Sequence, residues 1–218
     1  PVEHFIFSTC FSENAGHALD YAINIANQFG ATVHLVHAYH TTGHAGHLAN
    51  LDRVVKEDRD KEMDKLISSK QSLVSERTTL AGNCLKGYVK EGITHSASKV
   101  SADLIVMGTL GKNQPNVFMG STAKSLMAAT NKPILAVPLG VDQSPSKVVV
   151  SLDAYTMSNP SILYPLIQLV KQFNAKLHLV HVSDEAMNTE IDPTIQEYLR
   201  EAKLAYTYTR IQDGDVVQ

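Results

Sequence analysis

The chain has 218 residues, 44% of them hydrophobic and 19% charged, with 19 basic and 22 acidic side chains and a net charge of −3. That is enough chain to bury a sizeable core, and it holds no basic excess that would suit nucleic acid or an anionic membrane surface. Its apolar runs fall well short of the ~20 residues of a membrane span, its opening PVEHFIFSTCFS lacks the flanks of a signal peptide, and its two cysteines, Cys10 and Cys84, exclude a disulfide scaffold, so a soluble protein of a reducing compartment, the cytoplasm, is expected.

Phe5–Ser8 reads as a short apolar strand. Ser12 can cap a helix whose apolar residues fall at Ala15, Ala18, Leu19, Ala22, Ile23, Ala26 and Phe29, with Gly30 as its stop. Val33–Ala38 is a second strand and Asp52–Ile67 a helix rich in both charge signs, which reads as a solvated face. A third strand is expected over Cys84–Lys90 and a helix near Thr94–Ser101. Leu104–Met107 is a buried strand, Ser121–Thr130 a helix and Ile134–Val137 a fifth strand. Alternating β and α elements imply an α/β fold, an open parallel sheet with helices on both faces.

The remainder repeats part of this order. Strands are expected over Val148–Leu152, Leu177–Val182 and Tyr206–Ile211. Helices end near Phe173 and run near Pro193–Lys203, with Pro165 obscuring where the former begins. GATVHLVHAYH returns as NAKLHLVHVSD, with Ala31/Ala175, His34/His178, Leu35/Leu179, Val36/Val180 and His37/His181 identical. FIFSTCFS corresponds to VVVSLDAY, setting Cys10 against Asp153, and YVKEG is matched with RIQDG. These ordered matches point to a domain over 1–140, a polar linker GVDQSPSK, and a partial second copy over 147–218 that stops before its last two strands.

The stretch Asp103–Pro138 carries the chemistry. A buried strand runs into Gly108 and Gly111, and Gly120-Ser121-Thr122 opens a helix. Glycines admit close backbone approach, and a helix start offers free N–H groups and a positive dipole end to an anion. Lys112 adds a cation. The same residues also make an ordinary cap and turn, and spacing alone leaves both readings open.

This stretch resembles the universal stress protein family, whose nucleotide-binding members carry G-x2-G-x9-G-[ST] there. ADLIVMGT, NKPILAVP, VHLVHAYH and VKEG are also similar to that family, over roughly residues 1–140 and partially over 147–214. The resemblance implies a five-stranded, Rossmann-like parallel sheet in the order 3-2-1-4-5, with ATP, alone or with Mg, between the ends of strands one and four. It implies that Gly108, Gly111, Lys112, Gly120, Ser121 and Thr122 hold ribose and phosphates. Thr9, Cys10 and Ala38 then border the base, with Val89 and Gly92 nearby. Two departures stand out: eight residues rather than nine separate Gly111 from Gly120, in a loop containing Pro115, and Cys10 stands where nucleotide-binding members carry an aspartate. A thiol is a poor substitute for a carboxylate acceptor.

The function expected is therefore a nucleotide-binding stress-response protein acting as a regulatory or dimerising switch, not an enzyme, although weak ATP hydrolysis stays open. The alternative is a scaffold or interaction module that binds no nucleotide. An unpaired strand edge at Ile134–Val137 predicts a homodimer. His40, His44 and His47 have H-x3-H-x2-H spacing that, with Asp52 nearby, could bind zinc, but no helix holds the spacing rigid, so a solvated His-rich loop and no metal are expected. His34, His37, His178 and His181 read as satisfied polar residues near strand ends, and Met107, Met119 and Met127 as packing residues.

Overall fold

The computed structural model describes residues 2–41, 48–109, 120–152, 159–183 and 191–212. The chain divides into two compact units, Pro1–Gln143 and Ser144–Gln218.

The first unit alternates strand and helix in chain order. These are β1 (His4–Ser8), α1 (Glu13–Phe29), β2 (Thr32–Tyr39), α2 (Leu48–Lys70), β3 (Thr79–Lys86), α3 (Val89–Lys99), β4 (Leu104–Gly108), α4 (Ser121–Met127) and β5 (Ile134–Val137). All five strands are parallel, in the order β3-β2-β1-β4-β5. Neighbouring residues of β1 point to opposite faces. On one face Phe5 meets Phe29 edge to face, and Met63 and Ile67 of α2 close over Gly82 of β3. On the other, Ile6, Val36, Ile105 and Met107 pack with Ile93 and Ala97 of α3 and Ala123 and Leu126 of α4. Both faces of the sheet are thus covered, which is why its central strands read as near-continuous apolar runs.

The second unit holds β6 (Lys147–Leu152), α5 (Tyr164–Gln172), β7 (Lys176–Ser183), α6 (Pro193–Glu201) and β8 (Tyr206–Gln212), with its parallel strands in the order β6-β7-β8. Leu152, Leu177 and Leu179 pack against Ile167 and Val170 of α5 and Ile195 and Leu199 of α6. Pro165 lies in the first turn of α5, where its missing N–H costs nothing.

Five readings of the sequence are corrected. The third strand is Thr79–Lys86, not Cys84–Lys90, and α3 begins at Val89 rather than near Thr94. As the edge of the sheet, β3 is largely exposed at its start and shows no apolar pattern there, and Gly87 at φ +138° ends it. The match of YVKEG with RIQDG falls with that shift. Cys84 pairs with His37 and Arg210 with His181, so the strand register sets Arg210 against Cys84 and not against Tyr88. Helix α4 stops at Met127, short of Thr130, where the chain tightens into a turn in which the Ala129 N–H donates to the Leu126 carbonyl at 3.0 Å. Met127 is exposed, whereas Met107 is buried as expected; Met119 lies outside the described residues.

Candidate functional site

The strand order sets β1 beside β4, with Phe5, Ile6 and Phe7 paired to Leu104, Ile105 and Val106. From β1 the chain leaves into α1 on one face; beyond β4 it returns as α4 on the other. A crevice opens at such a point, outside the carboxyl ends of the two strands, and it is where open α/β sheets take ligands.

One wall is the turn after β1. Thr9 is buried, and its N–H donates to the Val36 carbonyl at 3.0 Å. Its carbonyl lies 2.9 Å from Nδ1 of His37, and its hydroxyl accepts the Phe11 N–H at 3.1 Å. Phe11 adopts left-handed backbone at φ 54°, which costs a side-chain-bearing residue about 1–2 kcal/mol. Its ring lies 4.4 Å from that of His37, centroid to centroid. Ser12 caps α1, accepting from the Ala15 N–H at 3.2 Å. Cys10 is exposed, with its sulfur 3.1 Å from the Ser12 hydroxyl. Burial lowers the pKa of His37 from its usual 6.5, against the opposing pull of the Thr9 carbonyl, so the ring is neutral near pH 7.

The second wall is built from β4 and α4. Gly108 pairs with Val137, and the buried Thr109 donates its N–H to the Val137 carbonyl at 3.0 Å. The Thr109 carbonyl accepts the Gly120 N–H at 2.8 Å, pinning the two ends of the intervening loop together. Gly120 precedes α4 with no side-chain cap, so no side chain covers the N–H groups of Ser121 and Thr122 from that position, in contrast to α1. Its φ of −66° suits any residue, and among the described residues a Cβ there would meet the Thr109 carbonyl, at an ordinary 3.5 Å. Chain conformation therefore does not require glycine at this position.

The described site residues sort as follows. Ala38 lies near the end of β2, and a Cβ on Gly92 would stand 3.7 Å from that of Ala38. Val89 opens α3 and packs against the core of that face rather than ending a strand. Ser121 is exposed and Thr122 partly so. Gly111 and Lys112 lie outside the described residues, as does Asp153.

His44 and His47 of the candidate zinc cluster also lie outside the described residues. His40 stands edge to face with Tyr88 at 4.4 Å, and Asp52 is engaged by Lys86 and Thr41, which hold its carboxyl below the usual carboxylate range. Among the described residues no group of three His, Cys, Asp or Glu side chains is placed to hold a metal. His34 bonds His4 at 3.2 Å and His178 bonds the Thr207 hydroxyl, as satisfied polar residues should. Cys84 is buried, and burial, reinforced by Asp60, pushes its thiol up to about 12. Sequence reasoning missed Thr109 as the pin of the loop and the left-handed Phe11. It also gave His37 no particular role, although the return of His37 as His181 was the available signal.

Residues 4–138 match the model of the universal stress protein family, and the chain belongs to that family. Among similar proteins, a universal stress protein of Methanocaldococcus jannaschii is 29% identical over 126 residues, 55% of this chain and 72% of that protein. The universal stress protein A homolog 1 of Coxiella burnetii is 25% identical over 142 residues, 62% of this chain and 95% of the relative. A solved universal stress protein from Archaeoglobus fulgidus shares the fold over 97% of this chain and 79% of its own length, with a TM-score of 0.73 at 15% identity. Another from Lactobacillus plantarum covers 62% of this chain and 97% of its own length, with a TM-score of 0.55 at 20% identity. No helix among the described residues is long and apolar enough to cross a membrane.

Proposed function

We propose that the first unit binds a nucleotide, ATP alone or with Mg, in the crevice between the carboxyl ends of β1 and β4. There it acts as a regulatory or dimerising switch in a cytoplasmic stress response. The observation that carries this reading is Gly120: a glycine that chain conformation does not demand, standing without a capping side chain of its own before a helix, at the point where the strand order reverses. The donors present suit an anion. Backbone N–H groups of α4 and the hydroxyls of Ser121 and Thr122 would face phosphate oxygens, and Ala38 with Gly92 would border the base. Gly111, by the family pattern, and the charge of Lys112 complete the set. The unit acts by binding, which shifts the population of a dimer or partner-bound state, rather than by turnover.

The second unit reads as a partial second copy of the same fold, joined near 140–147. The outer edge of β5 carries no strand among the described residues, and a second copy of the chain pairs there to give a homodimer. Light scattering at high concentration that finds only monomers would remove this part of the reading.

A scaffold that binds no nucleotide is the second reading. Cys10 favours it: the position that carries an aspartate in nucleotide-binding members here holds a thiol whose described partner is Ser12. Calorimetric titration with Mg-ATP decides between the two. Saturable binding that Gly120→Val abolishes supports the switch. Absence of binding at millimolar ATP supports the scaffold.

A further inference from the structure

Both backbone groups of Thr9 are held by β2. Its N–H donates to the Val36 carbonyl at 3.0 Å, and its carbonyl lies 2.9 Å from Nδ1 of His37. A carbonyl oxygen only accepts, so Nδ1 carries the proton, and Nε2 is the bare nitrogen of a neutral ring. The same imidazole stands 4.4 Å from the Phe11 ring, at the residue whose backbone is left-handed. One side chain thus grips a turn at two points, on either side of the exposed Cys10. The second unit repeats the first of these contacts: Nδ1 of His181 lies 3.2 Å from the carbonyl of Leu152, the residue that aligns with Thr9. A strained turn persists only where its surroundings over-determine it, and such turns gather at ligand sites.

We propose that His37 is a positioning residue: by holding the Thr9 carbonyl and the Phe11 ring it fixes the Thr9–Ser12 turn in the conformation that borders the nucleotide. The ligand half of this rests on the nucleotide reading above; the turn half does not. From α2, Arg59 and Glu62 face the same imidazole with opposite charges that offset each other, so it needs no proton exchange to do this work.

Cys10 reports the turn directly. It is exposed, while Cys84 is buried with its thiol at about 12, so only Cys10 reacts with iodoacetamide in the folded chain. The experiment compares the full chain with His37→Leu, His37→Asn and His181→Leu, reading Cys10 alkylation rate and ATP affinity. Loss of one such hydrogen bond is worth up to about tenfold. His37→Leu is expected to raise the Cys10 rate and lower ATP affinity by about that factor. His37→Asn, whose amide can place a donor where Nδ1 stood, restores both. His181→Leu, in the second unit, leaves both within about twofold. A Cys10 rate unchanged in His37→Leu, or equally changed in His37→Asn, overturns the turn half. A raised Cys10 rate with unaltered ATP affinity overturns the link to the ligand. A wild-type chain that binds no ATP overturns the nucleotide reading, and the Cys10 rates still decide the turn. Should His37→Leu fail to fold, imidazole ¹⁵N shifts of the wild type read the tautomer: Nδ1–H is expected, and Nε2–H would overturn the grip.

Discussion

The two units share the geometry around one strand and differ in what covers it. In the first, Thr32 N–H reaches back to the Glu3 carbonyl at 2.8 Å; in the second, Lys176 N–H reaches the Ser146 carbonyl at 2.9 Å. Gly30 and Asn174 both turn left-handed after the preceding helix, at φ 68° and 51°. His37 and His181 each hold the carbonyl at the end of the neighbouring strand. The next strand differs. Leu35 pairs with Gly82, and Met63 and Ile67 of α2 pass so close that a Cβ on Gly82 would stand 2.4 Å from Met63 Cγ. Leu179 pairs instead with Tyr208, which packs against a core capped by the short α6. On the other side, β1 is joined by β4, whereas β6 has only β7 among the described residues, and Val149 stands 57% exposed. The shared β-α-β geometry is a folding unit. In the first unit a fourth strand, β4, lies beside it, and the proposed nucleotide site is at that junction.

Each contrast can be broken by substitution. Leu35→Ala and Leu179→Ala remove equivalent buried side chains, and each should cost about 2–5 kcal/mol, read by denaturant unfolding and by hydrogen exchange in β2 and β7. A Leu179→Ala cost well under that range would mean that the second unit has no packed core of its own. Gly82→Val forces Met63 and Ile67 aside and should cost about 1–3 kcal/mol, although valine suits a strand. Acid should weaken the first unit. Burial lowers the pKa values of both His34 and His37 below 6.5 in the fold, with His4 adding to the effect at His34. The unfolded chain therefore binds protons first, so stability holds above about pH 6.5 and falls below it until the lowered folded values are passed. Urea midpoints at pH 7.5 and 5.5 measure this, and an unchanged midpoint would contradict it. Smallest of all, Gly120→Ala should alter stability by no more than about 0.5 kcal/mol, because its Cβ finds room.

The sheet order was legible through the family resemblance, and most strands through their apolar runs. Leu104–Met107 falls where expected because a strand buried on both faces leaves a dense apolar signature. The edge strand β3 escaped because solvent on its outer side removes that signature: Thr79, Ala81, Gly82 and Asn83 are exposed. The glycines were visible as motif, but that backbone conformation does not demand one at Gly120 shows only in its φ of −66°. His37 was visible as a repeated letter. Its role lies in a contact across 28 positions of chain, and spacing along one strand cannot show that.

The central claim is that the nucleotide site belongs to the first unit and to the β1–β4 junction. Titration of the ¹⁵N-labelled chain with Mg-ATP, followed through assigned amides, tests it most directly. Saturable shifts at Cys10, Gly108, Gly120 and Ser121, with Leu152 and His181 unmoved, are the result predicted. Shifts centred on the second unit, or none at millimolar ATP, would contradict it.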